Sequence, residues 1–219
     1  MIRKNIKTAV ELHKKVPPNW YYQSLKVDPL QRFWHKRRFE EVAKLMEPTP
    51  GRILDVGSAD GMFSKVILDN TKAKELIGIE LLESSVAWAN QHWKKTRKMK
   101  FIVGDAHKLN FPPNTFDAVF CLEVLEHVYR PEEVLKKFKR VMKRNGYGIF
   151  LVPSDSVLFR AIWWLWINFY PRGWVWRNTH IQTYRNNYLP KLCRKVGFEV
   201  EVDKKFNLGM LHIVKVRKK

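Results

Sequence analysis

Between Arg52 and Val152 short apolar runs alternate with stretches of helical periodicity, and no other feature of the 219-residue chain restricts its fold as strongly. The apolar runs are Arg52–Val56, Leu76–Ile79, Phe101–Val103, Phe116–Leu122 and Tyr147–Val152; the helical stretches are Met62–Leu68, Ser84–Trp93 and Glu132–Met142. Short strands separated by helices are the pattern of βαβ units, whose crossovers make a sheet parallel. The end of the chain differs. Tyr184–Val196 has helical spacing with Gly197 at its C′ position, and Phe198–Val202 and Met210–Val216 alternate apolar with polar residues. Those two strands predict an antiparallel hairpin at one sheet edge. The expected fold is α/β: a doubly wound, Rossmann-like, mostly parallel seven-stranded sheet with helices on both faces and an antiparallel C-terminal hairpin.

No Gly/Ser- or Pro-rich linker and no internal repeat divides the chain, so one domain is expected over residues 1–219. Its parts are an N-terminal helical cap (1–48), a core (51–153), a Trp-rich insertion or lid (154–180) and a closing helix with hairpin (181–219). In the cap, Ile2, Ile6 and Val10 recur near the helical period among lysines until Pro17-Pro18, and a second helix is expected from Pro29 to Met46. The first fifteen residues lack the apolar centre of a signal peptide, and no apolar run reaches the ~20 residues that span a bilayer. Cys121 and Cys193 form neither a disulfide framework nor a zinc site. A cytoplasmic protein is expected, with a peripheral position on the inner face of the membrane as its extension. Forty-one Lys and Arg against 21 Asp and Glu give a formal charge of +20. That field favours anionic partners such as RNA or an acidic membrane surface, and it equally describes a solvated basic surface. Local densities lie at Lys36-Arg37-Arg38, Lys94 to Lys100, Lys136 to Arg144 and Arg217 to Lys219. Oligomeric state is not readable.

The first strand runs straight into a turn of small residues, Ile53-Leu54-Asp55-Val56-Gly57-Ser58-Ala59-Asp60-Gly61, and a helix follows. Such a turn lets a ligand approach the backbone while helix N–H groups stay available. Glu80 ends the second strand, where a carboxylate can hold both hydroxyls of a ribose. Asp105-Ala106 ends the third, where a carboxylate can accept from an adenine amine, and Cys121-Leu122-Glu123 ends the fourth. A dinucleotide fingerprint needs further glycines where Ala59 and Met62 stand, so that pattern fails. Asp55 also suits an ammonium or sulfonium better than a pyrophosphate.

Leu54 to Gly61, Glu80, Gly104-Asp105-Ala106, Phe116-Asp117 and Glu123-Val124-Leu125-Glu126-His127-Val128 resemble the ordered motifs of class I S-adenosylmethionine (SAM)-dependent methyltransferases, above all the broad group that includes the ubiquinone-biosynthesis enzymes. The resemblance covers Gly51 to Pro153, with Val196-Gly197-Phe198 similar to the group's closing junction. It implies SAM as cofactor and S-adenosylhomocysteine as product. It places Gly57, Ser58, Ala59 and Gly61 along the methionine moiety with Asp55 near the amino group. Glu80, with Leu81 beside it, falls on the ribose, Asp105 and Ala106 on the adenine, and Leu122 near the sulfonium. The family's middle glycine is Ala59 here.

Methyl transfer is an in-line displacement that needs a base only when the acceptor loses a proton. Glu123 and His127 are the candidates for roles near the acceptor. Glu123, Glu126, His127 and His180 could instead hold a divalent metal, as small-RNA 2′-O-methyltransferases with a similar E-x-x-E-H pattern do. Metal, acid/base and structural readings all stay open, with metal not favoured. The insertion from Ser154 to Thr179 holds five of the nine tryptophans. Aromatic residues interspersed with arginines suit a lid over an acceptor pocket, a membrane interface or an oligomer contact. The leading expectation is a methyltransferase for a hydrophobic, amphiphilic or lipid-like small molecule, at or near a membrane surface. RNA methylation and a non-catalytic SAM-binding scaffold are the alternatives.

Overall fold

The structure, a computed structural model, describes residues 10–11, 13–171, 173–177 and 179–219. Two helices, α1 (Trp20–Val27) and α2 (Pro29–Ala43), precede β1 (Arg52–Val56), α3 (Met62–Thr71), β2 (Glu75–Glu80), α4 (Glu83–His92), β3 (Met99–Val103) and β4 (Phe116–Leu122). A 3₁₀ turn (Leu125–His127) leads to α5 (Pro131–Val141) and β5 (Met142–Pro153). The chain ends with α6 (Val157–Phe169), a 3₁₀ turn (Gly173–Trp176), α7 (Tyr188–Val196), β6 (Glu199–Phe206) and β7 (Leu211–Arg217).

The seven strands form one sheet of order β3-β2-β1-β4-β5-β7-β6. The first five pair in parallel, and β7 runs antiparallel to both β5 and β6. Strand alternation sends successive side chains to opposite faces, which produces two cores. Leu54, Val119, Cys121 and Phe150 face α5 and α7 and pack with Phe138 and Leu192. Ile53, Ala118, Phe120 and Ile149 face the other side and pack with Phe63 and Ile67 of α3. Because β1 and β4 are covered on both faces, they are mostly apolar rather than alternating, with Asp55 the charged exception buried inside β1. The chain winds one way from β1 to β3 and the other from β4 to β5. The carboxyl ends of β1 and β4 therefore flank a switch point, where open α/β sheets bind ligands.

Local chemistry sets several boundaries. Gly197 stands at φ +87 beyond α7; its N–H donates to the Arg194 carbonyl and that of Phe198 to Cys193, a Schellman close. The helix begins at Tyr188 rather than at Tyr184, because Asn186 and Asn187 at φ +51 and +57 break the turn before it. Helix α2 ends at Ala43, short of Met46, and α1 is a helix that periodicity did not reveal. The expected helix over residues 1–18 lies mostly outside the described residues; Val10, Glu11 and His13 are helical. Among the described residues no helix is long and apolar enough to cross a membrane.

Candidate active site

A cavity of ≈ 140 Å³ opens at the carboxyl ends of the first four strands. Gly57 and Ala59 line it from the turn after β1, at φ +75 and +45. A Cβ on Gly57 would stand 2.1 Å from Val124 Cγ2, so the packing of the turn itself demands glycine. The N–H groups of Gly57 and Ser58 donate to the Ile79 carbonyl (2.8 and 3.0 Å), which ties the turn to the end of β2. From there Glu80 and Leu81 enter the wall. Glu80 Oε2 accepts from Ala59 N (3.1 Å), and Oε1 accepts from Leu81 N and Leu82 N (2.8 and 3.1 Å). Each carboxylate oxygen keeps acceptor capacity beyond these bonds.

Asp105 and Ala106 close the wall after β3, and Leu122 after β4. Asp105 Oδ1 accepts from the backbone and ring nitrogens of His107, while its buried Oδ2 has no partner among the described residues. Burial pushes the Asp105 carboxyl up, yet the His107 hydrogen bonds outweigh it and keep the group ionised below the ordinary range. An ionised, half-satisfied carboxylate in a cavity wall fits an adenine amine.

Asp55, Ser58 and Gly61 do not line the cavity. The Asp55 side chain is buried beside α3, where Ser64 Oγ donates to it at 2.6 Å. Burial raises its carboxyl to about 7; the Ser64 bond opposes this and the charge of Glu80 adds to it. Gly61 caps α3 at φ +78 against Phe101 and Trp93. Ser58 Oγ is buried.

Residues 13–21 roof the cavity through His13, Val16, Pro17, Pro18, Trp20 and Tyr21. Tyr22 N donates to the buried Asp60 carboxylate (2.8 Å), anchoring this segment to the glycine-rich turn. Val10 lines the cavity too, so most of the described roof comes from the stretch over residues 1–18, completed by Trp20 and Tyr21 of α1.

A second, larger chamber of ≈ 310 Å³ lies beyond the first. Trp20, Tyr21, Glu123, His127 and Trp176 line both, so the two spaces share one wall. Its sides are aromatic: Trp34 from α2 and Phe159, Trp163 and Trp166 from α6. Arg38, part of a presumed surface cluster, is instead buried here. It forms an ion pair with Glu123, which stands at φ +58, and its guanidinium donates to His35 Nδ1. An Arg cannot accept, so the His35 proton sits on Nε2. That Nε2, Arg38 Nε and Glu126 Oε2 are buried without partners among the described residues. The chamber is thus apolar with a few unsatisfied polar atoms.

Glu123, Glu126 and His127 do not converge as one ligand group. Glu123 is engaged by Arg38, whereas Glu126, His127 and His180 offer atoms within 4.8 Å of one another and could hold a metal ion. The Thr179 carbonyl accepts from His127 Nδ1 (2.7 Å), which leaves the Nε2 lone pair available. Burial and the neighbouring His13 and His180 hold His127 well below its ordinary range, and burial with His13 takes His180 to about 4. Both imidazoles are neutral at pH 7, as ligation requires. Burial raises Glu126 to about 8, a cost that a nearby cation would reverse.

A family model described as a methyltransferase domain matches residues 54–150. That match, with the relatives that follow, supports a class I SAM-dependent methyltransferase family. It is 30% identical over 157 residues to a ubiquinone biosynthesis O-methyltransferase of Dechloromonas aromatica, covering 68% of this chain and 63% of that protein. To a sterol 24-C-methyltransferase of Gibberella zeae it is 35% identical over 106 residues, 46% of this chain and 28% of the relative. The chain thus spans less than two thirds of these relatives' lengths. A solved structure of a Pyrococcus horikoshii protein superposes with a TM-score of 0.70 at 21% identity, covering 89% of this chain and 94% of that one, a likeness of fold. The cofactor of this family is SAM, and the unpartnered Asp105 oxygen and the open acceptor capacity of Glu80 fit its adenosine.

Proposed function

We propose that this chain methylates a small molecule with an apolar body and an oxygen-bearing polar group, using SAM in the first cavity and the acceptor in the second. The observation that carries this reading is the shared wall: Glu123 and His127 border both spaces, so groups bound on either side meet there. When bound, SAM supplies a methyl group that leaves sulfur as a bond forms to the acceptor, with S-adenosylhomocysteine left behind. Glu80 accepts from the ribose hydroxyls and Asp105 from the adenine amine. Gly57 and Ala59 border the methionine moiety, Leu122 lies by the sulfonium, and Asp55 acts from beneath the turn through its charge.

His127 takes the proton if the acceptor must lose one, since its Nε2 is the open nitrogen. Glu123, held by Arg38, orients the acceptor. Aromatic walls favour a flat or isoprenoid-like body, and His35 Nε2 and Arg38 Nε donate to its oxygen atoms. The names of two relatives, a ubiquinone biosynthesis O-methyltransferase and a sterol 24-C-methyltransferase, point to molecules of this general kind. Such molecules partition into membranes, so the proposed place of action is a membrane surface.

Transfer of labelled methyl from SAM into an extract of the source cells, followed by phase partition, tests the proposal, with Glu80→Ala as control. Label in the organic phase supports it. Nuclease-sensitive label would replace it with RNA methylation, and no label above control would point to a non-catalytic scaffold.

A further inference from the structure

Helix α6 is apolar apart from Arg160 and Asn168, and only its Phe159 is buried. Phe159, Trp163 and Trp166 turn one side to the acceptor chamber. The other side shows Val157 (83% exposed), Ile162, Trp164, Leu165 and Phe169 (72%) to the surroundings. A helix of this kind is ordinarily covered on every side. Across the chamber Val27, Leu30 and Phe33 of α1 and α2 are exposed as well. The Tyr170 hydroxyl, just past α6, donates to Asp28 between α1 and α2 and joins the two banks. Leu30, Phe33 and Ile162 are at once exposed and part of the chamber wall, so they form its rim.

Charge decides what covers this face. Exposed Lys26, Arg32, Arg160 and Arg177 lie among the apolar residues, and Lys15 sits 5.4 Å over the exposed Trp174 ring. Residues 13–33 contain one acid, Asp28, which Tyr170 engages, and residues 156–177 contain no Asp or Glu. Two such faces would repel each other across a dimer. RNA would answer the charge but leave Val157, Leu165 and Phe169 in water. A bilayer with anionic headgroups answers both, because cations pair with headgroups while aromatic and aliphatic side chains enter the interface.

We infer that the outward side of α6 and the α1–α2 turn form a docking face for an anionic lipid bilayer, and that the acceptor chamber opens into that face. This rests on the reading of the chamber as the acceptor site and adds a partner and a route to it: an acceptor dissolved in the bilayer passes the Leu30–Phe33–Ile162 rim without crossing water.

The test is flotation of the full chain with vesicles of phosphatidylcholine containing phosphatidylglycerol, and with phosphatidylcholine alone. The double variant Trp164→Ser/Leu165→Ser removes two exposed side chains that do not line the chamber; Leu208→Ser, an equally apolar exposed site on the β6–β7 turn, is the control. Wild type and L208S should float with the anionic vesicles, more weakly at high salt and little with phosphatidylcholine alone. The double variant should partition about tenfold less. No flotation with anionic vesicles, or flotation of the double variant equal to wild type, would overturn the inference. So would a wild-type dimer in size-exclusion chromatography that the double variant dissolves, which would assign the face to a second copy of the chain. S-adenosylhomocysteine calorimetry on the same samples separates this from the methyltransferase reading: binding without flotation defeats only the docking face, whereas flotation without binding defeats only the cofactor site.

Discussion

Arg38, in the middle of α2, forms an ion pair with Glu123 at the end of β4, with the two side chains 4% and 15% exposed. The pair crosses from the N-terminal helices to the sheet and stands where the two cavities meet. Burial lowers the Arg38 guanidinium to about 10, so its charge persists at neutral pH. Breaking one side of a buried pair leaves the other charge uncompensated, at a cost of about 3–5 kcal/mol.

Arg38→Met should therefore lower unfolding free energy by about that amount. Urea denaturation measures it. The double variant R38M/E123Q should recover most of the loss, since no lone charge remains. A loss below about 1 kcal/mol for R38M would mean that water screens the pair as at a surface.

Asp55 predicts a pH dependence with a definite sign. Its folded value of about 7 lies above the ordinary 3.8, so in that interval the folded protein binds the proton that the unfolded chain has released. The group's contribution to stability is fully present below the lower value and is lost as pH rises through 7. Asp55→Asn should melt higher than wild type at pH 8, by about 2–4 °C for each kcal/mol recovered, and no higher at pH 4. Under the proposed role of Asp55, the same variant binds SAM more weakly, because the anion beneath the turn is gone. A variant no more stable at pH 8 would show that burial does not raise the Asp55 carboxyl.

Glu126, His127 and His180 predict a response to divalent cations. Millimolar Mn²⁺ or Zn²⁺ should raise the melting temperature of the wild type, and His180→Ala should abolish the shift. A chelator should reverse it. No shift in the wild type would leave the two imidazoles to acid/base and orienting roles.

Much of the fold was legible because βαβ units impose apolar continuity: β1 and β4 begin and end where the hydrophobic runs do. Helix α1 was not, since eight residues next to Pro17-Pro18 carry no clear apolar stripe and the buried member is Ser24. Arg38 was misread as part of a basic surface cluster. The signal that would have placed it is the spacing Gln31, His35, Arg38, Val42, a buried helical stripe that is largely polar. At the cavity, sequence adjacency to the turn was not enough to tell which residues line it. Asp55 sits within the strand, and its side chain goes into the core toward Ser64, while Gly61 supplies the cap of α3. The second chamber was beyond reach, because it is assembled from α2, α6 and the turn after β4, segments far apart in the chain.

The division of labour between the two cavities is the central claim, and calorimetry with S-adenosylhomocysteine tests it without knowledge of the acceptor. Glu80→Ala removes a side chain of the first cavity alone, and Trp163→Ala one of the second alone. The account predicts that E80A weakens binding tenfold or more, about 1.4 kcal/mol, while W163A binds as wild type does yet fails to transfer methyl to the organic-phase acceptor. Equal loss of affinity in both variants, or none in E80A, would contradict it.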